Sequence, residues 1–150
     1  MRRQRVYVDT SVIGGCFDSG FREASIALLE SALSGEIVLV LSDLLAFELQ
    51  NAPQVVRDLY EALPNNLVEL VVTGSEEDGL HAAYLSAGVV GAANEGDAMH
   101  VAAATVANCD IIVSWNFKHI VHYDKIRGYN AVNLREGYRT LAIHSPKEVV

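Results

Sequence analysis

Several things are scarce in this sequence, and each scarcity excludes something. There are only two cysteines, Cys16 and Cys109, far apart and in no metal-binding or redox spacing. That rules out a disulfide framework and reads as two buried free thiols in a reducing cytoplasm. No apolar run approaches the roughly 18 residues that a membrane span requires, so no membrane association is expected. The opening MRRQR leads straight into a strand with no apolar stretch behind it, so no signal peptide is expected. Three prolines, no Gly- or Ser-rich linker and no internal repeat leave residues 1–150 as one expected domain. Basic residues are missing from the middle of the chain. Between positions 6 and 114, sixteen acids stand against Arg22 and Arg57 alone.

What is present is a globular composition, 51% hydrophobic, with a net charge of −8. Such acidity argues against a nucleic-acid partner, but its distribution weakens the objection. Arg2, Arg3 and Arg5 open the chain, and residues 115–150 carry six basic and three acidic side chains. An acidic middle between basic ends can hold a metal centrally and phosphates around it; the alternative is a solvated acidic surface.

RVYV (5–8), EIVLVL (36–41), LVELVV (67–72) and DIIVS (110–114) read as strands, apolar without clean alternation. REASIALLESAL predicts a helix ending at Gly35, and Ser42 is placed to cap a helix DLLAFELQNA. Pro53 ends that helix and opens another, PQVVRDLYEAL, and SEEDGLHAAYLSAG and GDAMHVAAATVANC predict two more. The tail offers AVNL and TLAIHS as strands, the second at an edge, and a short helix after Pro146. Buried strands separated by helices describe an α/β fold with a mostly parallel sheet covered on both faces. Sites in such sheets form at the carboxyl ends of strands. Asp9, Ser42 and Ser114–Asn116 each follow a strand directly.

Three acids stand out. Asp9 ends the first core strand, where a carboxylate is either catalytic or part of an Asx-turn. Glu48 shares a helix face with Leu44 and Leu45, which face the core, so it must be a border residue, an ion-pair partner or a functional acid. Asp97 follows Gly96 at a helix start, where capping is the ordinary role. Taken together they gather at one sheet edge. Crowded carboxylates resist ionising unless a cation holds them. Oxygen ligands without Cys/His spacing suit Mg²⁺ or Mn²⁺, and the chemistry is phosphodiester hydrolysis by metal-activated water. Ser11 is placed to orient Asp9.

The order VYVDTSVI, then LSDLLAFEL, then GDAMHVAAATVANCDIIVSWNFKHI resembles the PIN-domain ribonucleases of the VapC toxin type over nearly the whole chain. The resemblance implies a PIN-like three-layer fold and a Mg²⁺- or Mn²⁺-dependent endoribonuclease of the cytoplasm. It places the metal-binding and catalytic acids at Asp9, Glu48 and Asp97. It also implies an RNA substrate, an antitoxin protein partner and a homodimer. Many members carry a further aspartate after the strand that follows the Ala-rich helix. Here Asn116 stands in that stretch and is read as a catalytic-site residue that supplies oxygen without charge, which puts a second metal in doubt.

Auxiliary candidates are Glu95, two residues before Asp97, and His100, three residues after it, where packing is the competing role. Lys118 and His119, with His122 and Lys125, are candidate phosphate contacts or ordinary surface charge. Gly14 and Gly15 fit no phosphate-loop spacing. Trp115 either stacks on a base or is buried in the sheet. Two other functions compete: a non-catalytic PIN-like module that binds RNA or protein, which Asn116 keeps open, and an α/β phosphatase or phosphotransfer domain. The latter calls for a second Asp two residues after the first, where this chain has Ser11, or for an acid pair and a dedicated lysine.

Overall fold

Aliphatic strands too short and too apolar to face water must be covered on both sides, and this chain covers them with helices. The computed structural model describes residues 2–150. Its strands are β1 (Arg5–Val8), β2 (Val38–Ser42), β3 (Val68–Val71), β4 (Ile111–Val113) and β5 (Ala142–His144). All pair in parallel, in the order β3-β2-β1-β4-β5. The helices are α1 (Thr10–Gly15), α2 (Arg22–Leu33), α3 (Asp43–Glu48), α4 (Gln54–Ala62), α5 (Ser75–Ser86), α6 (Glu95–Val106), α7 (Tyr123–Arg135) and α8 (Pro146–Val149).

Alternation along β1 shows the three layers. Val6 and Val8 pack with α1, α2, α4 and Leu45 of α3, whereas Tyr7 packs with α5, α6 and α7 on the other face. Because β2 and β4 flank β1, the chain reverses its direction of travel across the sheet between them. The carboxyl ends of β1 and β4 therefore border a crevice, the usual place for a site in an open parallel sheet. Asp9 follows β1 there, and Ser114 follows β4.

Local signals act where the sequence places them. Gly35 sits at φ +80, a conformation that ends α2 cheaply only with glycine. Ser42 accepts the Leu44 N–H at 3.3 Å and caps α3, which passes at Leu49–Asn51 into a 3-10 turn. TLAIHS supplies β5, at the sheet edge as expected. AVNL is not a strand: Ala131–Leu134 lies inside α7. Tyr129, Val132 and Asn133 are buried at helical spacing while Leu134 is 61% exposed, and a four-residue apolar run does not distinguish the two periods.

The basic ends also differ from expectation. Arg2 pairs with Asp110 at 2.8 Å. Arg5 pairs with Glu69 and donates to the Ala107 and Asn108 carbonyls. Asp110, Ala107 and Asn108 precede β4, at the amino-terminal end of the sheet. These arginines thus fasten the edge opposite Asp9 and do not surround it. Cys16 and Cys109 are free and buried, and burial pushes their thiols up to about 11 and about 12. No helix among the described residues is long and apolar enough to cross a membrane.

Candidate active site

The chain leaves β1 and enters α1 with only Asp9 between. Asp9 is 5% exposed, and its side chain neither caps α1 nor closes an Asx-turn. Its oxygens instead receive one hydroxyl each, from Ser11 at 2.5 Å and from Ser114 at 2.6 Å. Each serine oxygen in turn accepts a backbone N–H, Ser11 from Trp115 and Ser114 from Asn116, both at 2.9 Å. With that lone pair engaged, each hydroxyl proton is directed at the carboxylate. Burial raises the pKa of Asp9; the charge of His100 and the two hydroxyls oppose that rise, and the charge of Glu48 adds to it.

Glu48 ends α3 with its side chain 36% exposed. Oε1 accepts from the Thr10 hydroxyl and from His100 Nε2, the latter at 2.6 Å. Burial opposes its charge, but the His100 bond and charge together with Thr10 outweigh burial and hold Glu48 below the usual carboxylate range. Asp97 is half-buried in the first turn of α6 and makes no hydrogen bond among the described residues, so it is not a cap. A Cβ on neighbouring Gly96 would lie 3.8 Å from Glu48 Oε2, so the start of α6 abuts the end of α3. Burial alone would lower the pKa of His100, but the Glu48 hydrogen bond and the charges of Asp9, Glu48 and Asp97 raise it. Of the three acids only Glu48 touches the buried imidazole; Asp9 and Asp97 act on it through their charge alone.

None of the three makes a salt bridge to lysine or arginine among the described residues. An anionic, all-oxygen set without such a counter-ion has the chemistry of a site for a hard divalent cation. It is not a closed cage: no three His, Cys, Asp or Glu side chains among the described residues are grouped tightly enough to hold an ion as they stand.

The other expected residues divide. Asn116 lies in the turn after β4, and its Oδ1 accepts the N–H groups of Lys118 at 3.2 Å and His119 at 2.9 Å. Its amide oxygen therefore shapes the turn. Lys118 is exposed and has no carboxylate partner among the described residues. His119 is half-buried, and its carbonyl accepts the Tyr129 hydroxyl. Glu95 is exposed; its carbonyl meets His81 Nε2 at 2.9 Å and its backbone N–H donates to the Ala92 carbonyl. Lys125 is not free for phosphate: its ammonium donates to the Val89 carbonyl at 2.7 Å. Trp115 is buried, stacked on Phe21 and bonded to Ser25.

The sequence places Ser42 and Ser114 at strand ends without naming their partners, and leaves Thr10 on Glu48 and Tyr7 behind His100 unassigned. One signal was available. Tyr7 is a hydroxyl-bearing residue in a strand otherwise lined by valine, and a buried phenol needs a partner.

No protein-family model and no curated protein matches the sequence. By structure, the chain is similar to one in VapBC2 from Rickettsia felis, solved bound to a DNA fragment from their promoter. The TM-score is 0.61 at 12% identity, over 95% of this chain and 98% of that one. The likeness spans nearly the whole of both chains, so the two share one fold. A chain of FitAB bound to the IR36 DNA fragment shares it, with TM-score 0.58 at 14% identity over 94% of both chains. A tyrosyl-tRNA synthetase from Aeropyrum pernix matches over 96% of this chain but 52% of its own, with TM-score 0.53 at 11% identity. At such identities the likeness is one of fold, which does not fix the reaction.

Proposed function

We propose that the protein is a Mg²⁺- or Mn²⁺-dependent endoribonuclease and the toxin of a toxin–antitoxin pair. The observation that carries this reading is that Glu48 is bonded by Thr10, the neighbour of Asp9, and by His100, one turn from Asp97, at the carboxyl edge of the sheet. None of the three acids is paired to lysine or arginine among the described residues. These three acids would hold the ion, which supplies Lewis acidity toward a water nucleophile and a phosphoryl oxygen. Ser11 and Ser114 keep both Asp9 oxygens oriented. Thr10 and His100 hold Glu48 by Oε1 and leave Oε2 on the Gly96 side. Lys118 offers an exposed cation to an RNA phosphate, two residues beyond Asn116.

The antitoxin is part of the same proposal. The shared fold with chains of VapBC2 and FitAB supports it. So does an apolar groove of about 440 Å³ between α1, α2 and α4, lined in part by Phe17, Ile26, Leu29, Leu33 and Leu59. Such a groove suits the apolar face of a partner helix.

One observation favours a second reading, a PIN-like module that binds RNA without cutting it. The acids are not gathered into a closed cage, and the amide oxygen of Asn116 is committed to its own turn. Incubating purified protein with single-stranded RNA, with and without Mn²⁺, separates the two. The nuclease gives cleavage that chelation and Asp97→Asn both remove; the module gives binding alone.

A further inference from the structure

Behind Glu48 runs a chain of polar groups that reaches no solvent. His100 Nε2 meets Glu48 Oε1 at 2.6 Å, His100 Nδ1 meets the Tyr7 hydroxyl at 2.6 Å, and that hydroxyl meets Ser42 Oγ at 2.7 Å. The Leu44 N–H closes it by donating to Ser42. Tyr7 and Ser42 are fully buried and His100 is 2% exposed.

Each member belongs to an element that carries one of the acids. Tyr7 lies on β1, two residues before Asp9. Ser42 ends β2 and caps α3, which ends at Glu48. His100 is one turn along α6 from Asp97. We infer that the Ser42–Tyr7–His100 chain is a positioning device that fastens these three elements together and fixes the rotamer of Glu48, so that Oε2 remains available to a divalent ion. This inference rests on the metal-dependent reading above.

Proton accounting supports a chain in which Nδ1 accepts from Tyr7. Glu48 only accepts, so Nε2 carries a hydrogen. If Nδ1 accepts from Tyr7, Ser42 donates to the phenol oxygen. If Nδ1 donates to Tyr7, the phenol donates to Ser42. In the first arrangement every buried group is satisfied, as buried polar groups must be; in the second the Ser42 proton has no acceptor among the described residues. The need for an anchor is local. Glu48 is a long side chain at the end of a six-residue helix and partly in water, where nothing else but Thr10 restrains it. Groups that orient ligands from behind typically govern metal affinity by about 10–100-fold.

Tyr7→Phe is the sharpest test, because Tyr7 touches none of the acids. Mn²⁺ alone is titrated into wild type, Tyr7→Phe, His100→Gln and His100→Leu, each verified as folded by circular dichroism at the titration temperature. The inference predicts that Tyr7→Phe and His100→Leu weaken Mn²⁺ binding by about 10–100-fold. His100→Gln, which keeps an N–H donor for Glu48, should recover part of the loss at equal thermal stability to His100→Leu. Folded Tyr7→Phe protein with wild-type affinity overturns the inference and leaves the nuclease reading standing. If Tyr7→Phe does not fold, His100→Gln binding no better than His100→Leu overturns it. Wild-type protein that takes up no Mn²⁺ overturns the metal-dependent reading and this inference with it.

Discussion

Gly14 and Gly15 are neighbours at the end of α1, yet a methyl group at each should act with opposite sign. At Gly15 a Cβ would sit 2.7 Å from Ser25 Oγ and 2.8 Å from Trp115 Nε1, the two atoms of a 2.8 Å hydrogen bond. Neither can yield easily, because Trp115 is buried and its ring stacks on Phe21 at 4.2 Å between centroids. Overpacking of this kind costs about 1–3 kcal/mol. Breaking the Trp115–Ser25 bond adds about 1 kcal/mol, and the gain of alanine over glycine in a helix returns at most about 1 kcal/mol. Gly15→Ala should therefore lose roughly 1–3 kcal/mol, and at about 2–4 °C per kcal/mol its midpoint should fall by roughly 2–12 °C. At Gly14 nothing lies within 4 Å, so Gly14→Ala should be neutral or up to about 1 kcal/mol more stable. Trp115 is the single tryptophan, so urea unfolding followed by its fluorescence reads both variants at the contact itself. The effect should reach the site, because the Trp115 N–H holds Ser11 and Ser11 holds Asp9. Gly15→Ala as stable as wild type, or Gly14→Ala losing as much, would refute the packing of α1 against the β4 turn.

Asp9→Asn and Asp97→Asn should abolish divalent-dependent RNA cleavage, and Asp9→Asn should leave metal-free stability equal or higher, because burial and the charge of Glu48 disfavour its ionised form; paired cleavage assays and melts check this. Asn116→Asp should leave Mn²⁺ affinity unchanged by calorimetry, since an aspartate oxygen can take over the two N–H bonds of the turn; tighter binding would place residue 116 in the metal shell. Lys118→Glu should weaken RNA binding, flatten its salt dependence and spare Mn²⁺ affinity, as filter binding across a salt series would show. Asp110 is held at about 2, below its ordinary 3.8, by the Arg2 guanidinium and the Arg5 backbone N–H. Its contribution to stability is complete above the ordinary value and lost as pH falls toward about 2, so acid melts of Asp110→Asn should lack that part of the slope.

The architecture was legible because parallel strands buried on both faces leave continuous apolar runs, and their helices begin and end on local signals such as Ser42 and Gly35. AVNL was misread because a run shorter than two helical turns has no period of its own. Three acids stand out in the sequence, since a carboxylate at a strand end or on a core-facing stripe is conspicuous wherever the chain goes. Of their supports only Ser11, two positions from Asp9, was legible. Ser114 meets Asp9 from 105 positions away and His100 meets Glu48 from 52, so neither contact leaves a local trace. The basic ends misled for the same reason. Charge counts carry no direction, and Arg2 and Arg5 proved to fasten the amino edge of the sheet.

The most direct test of the central claim is single-stranded RNA incubated with the purified protein across a Mn²⁺ titration, beside Asp97→Asn prepared identically. The account predicts cleavage that rises with Mn²⁺, stops on chelation and is absent from the folded variant. RNA left intact by folded wild-type protein at saturating Mn²⁺, or cut equally by Asp97→Asn, would contradict it.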